Sequence, residues 1–154
     1  MPGESWKDEL RKHFEAVKLI EKAKADTLES FSQFCEFIVE PAFESLQEEM
    51  KEYGIKVRLH ENKGTSIGFE FSFPGSNTDQ FHYRITLPKN AYELRLGLVV
   101  RGRSSKSAHL DETVLEFMKG LAPGEIMKVS KEDLIRDVIE RYRDYTLTAL
   151  TSPD

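Results

Sequence analysis

Apolar residues recur every three or four positions along the first third of the chain. The first run of this kind has five members: Trp6, Leu10, Phe14, Val17 and Ile20. A second run extends from Leu28 to Tyr53. Steps of three and four residues place side chains on one face of an α-helix, so both runs predict amphipathic helices. Pro41 interrupts the second run, and we expect a kink or a restart there because proline has no backbone amide hydrogen to donate. Gly54 then supplies a residue suited to the left-handed position after a helix end.

From Ile55 onward the spacing of the apolar residues changes to two. Four segments alternate apolar and polar residues in this way, at positions 55–60, 66–73, 81–87 and 92–100. Strict alternation is typical of β-strands that bury one face and leave the other face in water. The segments between them are too short for crossover connections, so the four strands predict an antiparallel meander.

The last third of the chain returns to the spacing of helices. Residues 111–120 predict a short helix closed by Gly120, and residues 129–150 predict a longer helix with Ser130 as its N-cap. The order is then two helices, four strands and two helices. This order predicts a two-layer α+β fold, a four-stranded antiparallel meander with the N-terminal and C-terminal helices packed on one face. The chain has no Pro/Gly-rich linker, and we expect residues 1–154 to form a single domain.

The composition is typical of a globular protein of the cytoplasm. Apolar residues make up 39% of the chain and charged residues 32%, and no apolar run approaches the roughly 20 residues that span a bilayer. The N-terminal sequence lacks the apolar segment of a signal peptide, and the single cysteine, Cys35, excludes an internal disulfide. One cysteine and four scattered histidines give no zinc-ligand spacing, so we expect no metal and no cofactor.

The net charge of −5 is distributed unevenly along the chain. Residues 1–54 contain 7 Lys/Arg and 13 Asp/Glu, residues 55–110 contain 9 and 4, and residues 111–154 contain 6 and 10. The strand-forming middle of the chain is therefore basic and lies between two acidic ends. Such a division concerns surfaces and partners more than the fold.

The basic residues of the middle segment form the candidate binding site. The alternation places the cations of the strands on the sheet face that points away from the helices, beside His60 and His82, and the loop after the fourth strand adds further cations. Charged donors in such an arrangement can hold a phosphate or a carboxylate. The candidate anion-binding residues are Arg58, Arg84, Arg95, Arg101, Arg103 and Lys106.

An ordinary solvated sheet face is the alternative interpretation, and the sequence favours it over a binding face. Solvent-facing strand residues are commonly polar, and Lys or Arg there discourages association between sheets. The register of the third and fourth strands also matters, because the apolar faces coincide only when paired residue numbers have an odd sum. One such register puts Arg84 opposite Arg95, a repulsion that an anion would relieve, and another puts Arg84 opposite Glu93.

Catalysis and nucleic-acid binding have less support than binding of an acidic partner. Cys35 lies in the apolar stripe of a helix, where thiols usually act as small core residues. No P-loop, glycine-rich dinucleotide turn or GxSxG nucleophile elbow occurs, so no residue is assigned a catalytic role and the sequence leans away from an enzyme. Sheets that bind single-stranded nucleic acid expose aromatic residues for stacking, whereas nearly every strand aromatic here falls on the buried face: Phe69, Phe71, Phe73, Phe81 and Tyr83.

The sequence therefore predicts a small cytoplasmic binding module of unknown ligand, and its basic outer face and loop are the candidate site for an acidic protein or an anionic small molecule. Two alternatives stay open, an enzyme that acts on an anionic small molecule held by the basic loop, and a nucleic-acid-associated protein. The apolar run from Trp6 to Ile20 offers more surface than one small sheet needs to bury, so we also expect a homodimer. No contact with a membrane is expected.

Overall fold

The helical first third of the chain forms two helices joined by a π-helical turn. In the computed structural model, which describes residues 5–72, 80–103 and 110–151, helix α1 spans Trp6–Phe34 and helix α2 spans Glu40–Met50. The turn between them covers Cys35–Val39. Pro41 cannot donate to the carbonyl four residues earlier, and the wider turn accommodates that missing hydrogen bond. The interruption expected at Pro41 therefore takes the form of a π-helical turn.

A short 3₁₀ turn, Lys51–Tyr53, follows α2 and ends at Gly54. Gly54 adopts the left-handed conformation with a φ of 74°, as the sequence predicted. The backbone amide of Ile55 donates to the carbonyl of Met50, which leads the chain directly from the helix into the sheet.

Five antiparallel strands lie side by side in chain order. They are β1 (Lys56–Asn62), β2 (Ser66–Ser72), β3 (Gln80–Thr86), β4 (Gly97–Arg103) and β5 (Leu110–Glu116). The antiparallel sheet and the helices at both ends of the chain are confirmed, whereas the prediction of four strands is wrong by one.

The fifth strand replaces the short helix predicted for residues 111–120. Along β5 the hydrophobic residues point to both faces, because Leu115 packs partly against the core whereas Val114 points to the outer face and is 73% exposed. Asp111 occupies the opposite face, at the edge of the sheet, and is also exposed. β4 offers an unpaired row of backbone donors and acceptors, and β5 satisfies that row along seven residue pairs from Gly97–Glu116 to Arg103–Leu110.

The fourth strand begins later than its alternation predicted. Leu94 and Leu96 are buried as expected, but they precede the strand, which starts at Gly97. The pairs between β3 and β4 have an odd sum, as required, yet Arg84 lies opposite Val99. Neither proposed register, with Arg95 or with Glu93 opposite Arg84, occurs.

The C-terminal part of the chain contains a 3₁₀ helix, Pro123–Lys128, and a long helix α3, Lys131–Thr151. The N-terminus of α3 is capped as predicted, because the Asp133 amide donates to Ser130 Oγ at 3.0 Å. The Ser130 amide donates in return to Asp133 Oδ2 at 3.4 Å. The elements in order are thus two helices, five strands and one long helix, with short 3₁₀ and π-helical turns between them.

The core lies between the helices and the inner face of the sheet. Phe71 is fully buried there, with its ring centroid 5.5 Å from that of Phe81 and 5.1 Å from that of Tyr142 on α3. Tyr83 on β3 is also fully buried, and its hydroxyl donates to Asp137 Oδ2 of α3 at 2.5 Å. The apolar spacing of the helix predicted over residues 129–150 also places Ile139 in the core, but Ile139 is 44% exposed, because it lies at the margin of the contact between α3 and α2.

The first two-thirds of α1 expose the apolar stripe seen in the sequence. Its five members, Trp6, Leu10, Phe14, Val17 and Ile20, are between 36% and 66% exposed. Further along the same helix Thr27, Phe31 and Phe34 are buried against the rest of the chain. Among the described residues, no helix is both long enough and apolar enough to cross a membrane.

Candidate functional site

A cleft of about 300 Å³ opens on the outer face of the sheet, on the side away from the helices. Side chains from β1, β2, β3 and β4 line it, and seven of the polar ones point to the outer face: His60, Asn62, Ser66, Glu70, His82, Arg84 and Arg101. We call this site the outer cleft. The sheet register brings these residues together, because alternate residues on each strand face the same side.

The outer cleft is built on two neighbouring cross-strand rows. The first row runs across all five strands in the order Arg58, Glu70, His82, Arg101 and Glu112. Opposite charges and polar groups thus sit beside one another along this row, so that each cation has a carboxylate within one or two strands.

The second row contains a glycine next to Arg84. It runs from His60 through Gly68, Arg84 and Val99. A Cβ atom at Gly68 would lie 2.5 Å from the carbonyl oxygen of Tyr83 and 2.8 Å from the Cα of Arg84, so only glycine fits. Gly68 therefore lets the backbone of β3 approach closely, and it lines the cleft between His60 and Arg84.

A histidine and a glutamate form a hydrogen-bonded pair at the rim. His60 Nε2 lies 2.5 Å from Glu70 Oε2, and the Glu70 side chain is only 14% exposed whereas His60 is largely exposed. The carboxylate therefore lies low in the cleft, and the imidazole ring bonded to it lies at the exposed rim. A His–carboxylate pair of this geometry fixes the orientation of the ring and favours one tautomer.

The two arginines of the cleft differ in their surroundings. Arg101 Nε lies 3.7 Å from Glu112 Oε2, and both side chains are about half exposed. Arg84 is exposed and has no ion-pair partner among the described residues. Arg84 is therefore the cation of the cleft whose charge is more available to a ligand, and Arg101 can contribute its remaining donors.

His82 lies between these groups and is partly buried. Burial lowers the pKa of His82 below its ordinary value of 6.5; Glu70 raises it, and the positive charges of Arg101, His60 and Arg84 lower it further. The ring is therefore mostly neutral at neutral pH and can donate or accept a hydrogen bond. An anion placed beside it would favour the protonated form.

The structure brings together only part of the predicted anion site. Arg84 and Arg101 line the outer cleft, and Arg58 lies beside it on β1, opposite Glu70. Arg95 was predicted on the outer face of a strand, which is wrong. It lies before β4, and its Nη2 pairs with Glu93 Oε1 at 2.9 Å.

The last two residues of the predicted site have side chains outside the described part of the structure. Arg103 is the last residue of β4, but its side chain lies outside the described part of the structure, as does Lys106. His60 and His82 were expected next to the site without a role in it, and Gly68 was not predicted to belong to it. A glycine within an otherwise alternating strand was the available signal for a close backbone approach.

The outer face is less basic than the sequence implied. Four described cations (Lys56, Arg58, Arg84 and Arg101) share it with Glu70, and β5 adds the carboxylates of Glu112 and Glu116. These two glutamates had been assigned to a helix. The positive character is therefore confined to the outer cleft and its surroundings on β1, β3 and β4.

A second cavity, of about 600 Å³, lies on the helical side and is mainly apolar. It opens between α2 and α3, with Met50, Ile55, Ile139 and Tyr142 in its walls. Cys35 lies in neither cavity. Burial, reinforced by Glu61 and Glu40, raises the pKa of its thiol from 9.0 to about 12, so this thiol is not nucleophilic at neutral pH.

No described group of three or more His, Cys, Asp or Glu residues is arranged to hold a metal ion. The outer cleft instead combines two guanidinium groups with two imidazoles, which are donors suited to oxyanions. Comparisons of the chain with protein-family models, with curated proteins and with solved structures find no match.

Proposed function

We propose that the protein is a small binding module that holds an anionic ligand in the outer cleft. The observation that carries this proposal is the convergence of Arg84, Arg101 and His82 on one cleft, with Gly68 in its lining. Guanidinium groups form strong, directional hydrogen bonds to carboxylates and phosphates. A neutral imidazole beside them adds a donor without a permanent charge.

The size of the cleft favours a small ligand over an extended acidic surface. A volume of about 300 Å³ is at the lower end of the range for small-molecule sites. Glu70 and Glu112 beside the arginines would repel a second negative group placed nearby on the sheet. We therefore favour a compact anion that carries one phosphate or carboxylate, and an acidic side chain of a partner protein is the second source of the same chemistry.

Binding of inorganic phosphate, followed by amide chemical shifts in heteronuclear NMR, tests this proposal. We expect the shifts of β2, β3 and β4 around Gly68, His82 and Arg101 to move in a saturable way, and the affinity to fall with added sodium chloride because the charges are exposed to solvent. The double variant Arg84→Gln with Arg101→Gln should weaken binding by at least about tenfold.

Two matched variants serve as controls for charge alone. Lys7→Gln on α1 and Lys119→Gln after β5 each remove one positive charge far from the cleft, and both should leave phosphate binding unchanged. Surface changes of this kind usually alter stability by less than about 0.5 kcal/mol. Equal binding by the double variant and the wild type would contradict the proposal, as would shifts that map to the helices.

An enzyme acting on the same anion is the second candidate function, and the His60–Glu70 pair is the observation that favours it. A histidine oriented by a carboxylate over an anion site has the arrangement of a general acid or base. Incubation with a small-molecule extract, analysed by mass spectrometry, separates the two functions. Consumption of a compound by the wild type but not by His60→Gln supports the enzyme, and retention of an unchanged compound by both supports the binding module.

No observation favours binding of nucleic acid. Phe69, Phe71, Phe81 and Tyr83 are all buried on the inner face of the sheet, so they offer no surface for base stacking. The remaining strand aromatic of the sequence analysis, Phe73, lies outside the described residues.

The proposed compartment is the cytoplasm. The chain has one cysteine, and that residue is buried in the core as the first residue of the π-helical turn. Cysteine used in this way contributes packing and needs no oxidising environment. Fractionation of cells that express the tagged protein checks the compartment directly.

A further inference from the structure

The exposed apolar stripe of α1 lies on the same helical face as Thr27, which is buried further along the helix. Steps of three and four residues lead from Leu10 through His13, Val17, Ile20 and Lys24 to Thr27, the first residue of α1 that is buried against the rest of the chain. The buried end of the stripe is covered by the protein's own core. The exposed end is also mainly apolar, but no other part of the described residues covers it.

We propose that this exposed stripe pairs with the same stripe of a second copy of the chain, with the two α1 helices antiparallel. The inference does not depend on the outer cleft, which lies on the opposite side of the sheet from the helices. Two considerations lead to it, the area available and the match of charges.

The area is close to what a specific interface requires. The five stripe residues include two large aromatic side chains, Trp6 and Phe14, each more than half exposed. Two such stripes facing each other would bury roughly 1,000 Å² in total, which is about the minimum for a specific protein–protein interface. Surrounding contacts of the polar rim would add to this area.

The charges decide between a parallel and an antiparallel arrangement. In a parallel pair Lys24 would face Lys24 of the partner, which places two like charges on the contact line. Within each chain Lys7 Nζ lies 5.6 Å from the centroid of the Trp6 ring, and Lys24 Nζ lies 3.9 Å from Glu21 Oε1. In an antiparallel pair with its two-fold axis at Glu15, Lys24 also faces Trp6 of the partner. A lysine over an indole ring is an attractive cation–π contact.

The same antiparallel register matches the residues on both sides of the contact line. Leu10 meets Ile20 of the partner, and Phe14 meets its own copy next to the two-fold axis. Lys7 faces Glu21 of the partner, and symmetry repeats this ion pair at the other end. On the other side of the axis the small residue Ala16 meets its copy and lets the helices approach closely.

The geometry of the chain leaves room for this pair. From Trp6 to Thr27 an α-helix extends roughly 30 Å. The buried part of each chain begins at Thr27, so the two folded bodies would lie at opposite ends of the helix pair. The N-terminal end of each helix would stop near Lys24 of the partner, before that body begins.

Sedimentation equilibrium at micromolar concentrations tests whether the pair forms. We expect a wild-type dimer, and we expect Phe14→Glu to weaken dimerisation at least about 100-fold because it buries two carboxylates at the two-fold axis. Leu19→Glu is the matched control, since Leu19 is 70% exposed on the opposite side of α1, and it should leave the dimer intact. A wild-type monomer at 100 µM, as a chosen upper concentration, would overturn the proposal, and so would equal effects of the two variants.

A charge exchange tests the orientation and the register. Lys7→Glu and Glu21→Lys should each weaken the dimer by roughly three- to tenfold, because each places like charges opposite each other twice. The combined variant Lys7→Glu with Glu21→Lys should return to within about threefold of the wild type, since the ion pairs re-form with reversed sign. Additive weakening in the combined variant would contradict the antiparallel register. Circular dichroism of each variant shows whether α1 stays helical.

Discussion

His82 couples the proposed function to pH. Burial lowers its pKa below the ordinary value of 6.5, with the nearby arginines adding to the effect, whereas the unfolded chain keeps the ordinary value. Between the lowered pKa and 6.5 the unfolded state therefore binds more protons, and the stability of the fold decreases as the pH falls through this window. A bound anion acts in the opposite direction, because it favours the protonated ring.

We therefore expect phosphate to bind more tightly as the pH falls below 6.5, by roughly three- to tenfold. Calorimetric or NMR titrations at several pH values, corrected for the protonation of phosphate itself, measure this dependence. His82→Gln should remove most of the pH dependence and retain part of the affinity, whereas His13→Gln on α1 should leave the pH profile unchanged. A profile that is the same in wild type and His82→Gln would show that another group controls binding.

Single residues of the site were predictable where they follow from alternation and charge. Arg84 and Arg101 were placed correctly, because the side-chain direction along β3 and β4 depends only on a period of two. The pairing of His60 with Glu70 was not predictable, since it requires the register of β1 against β2. Arg95 was misplaced because an alternating pattern continued into residues that pack on the core without joining the ladder.

Phe71 connects the elements of the fold, since it lies on β2 and contacts rings on both β3 and α3. Replacing it with alanine leaves a cavity between the sheet and α3, and should reduce the free energy of unfolding by about 3–5 kcal/mol. Urea denaturation followed by fluorescence measures this loss. Phe37→Ala is a suitable control, because Phe37 is also aromatic but largely exposed, and its loss should cost far less.

At the scale of elements, strands β1 to β3 agree closely with their sequence patterns, whereas β5 does not. In the first three strands the apolar residues coincide with the inner face, as Phe69, Phe71 and Tyr83 illustrate. Edge strand β5 has only one neighbour, and Asp111 and Thr113 on its inner face are exposed like Glu112 and Val114 on its outer face. Hydrophobic spacing carries little information there, and the backbone hydrogen bonds to β4 decide the structure.

The whole molecule combines a folded body with a long helix whose apolar stripe is exposed. The excess of apolar residues between Trp6 and Ile20 was visible in the sequence, but the sequence could not show which part of the helical region the core covers. That division depends on where the sheet ends relative to α1, which is a tertiary property. It is also the reason that association and stability should be linked in this protein.

If two copies pair through α1, the dimer forms only from folded chains, and its thermal unfolding must depend on protein concentration. A tenfold increase in concentration favours the dimer by about 1.4 kcal/mol, and for a chain of this size we expect the unfolding midpoint to rise by roughly 1–3 °C. Differential scanning calorimetry from 10 to 1,000 µM, a range chosen to span two tenfold steps, measures this shift. Phe14→Glu should unfold at a midpoint that does not change with concentration, whereas Leu19→Glu should keep the wild-type dependence. Since Phe14 is more than half exposed in the single chain, this loss of concentration dependence cannot come from damage to the core.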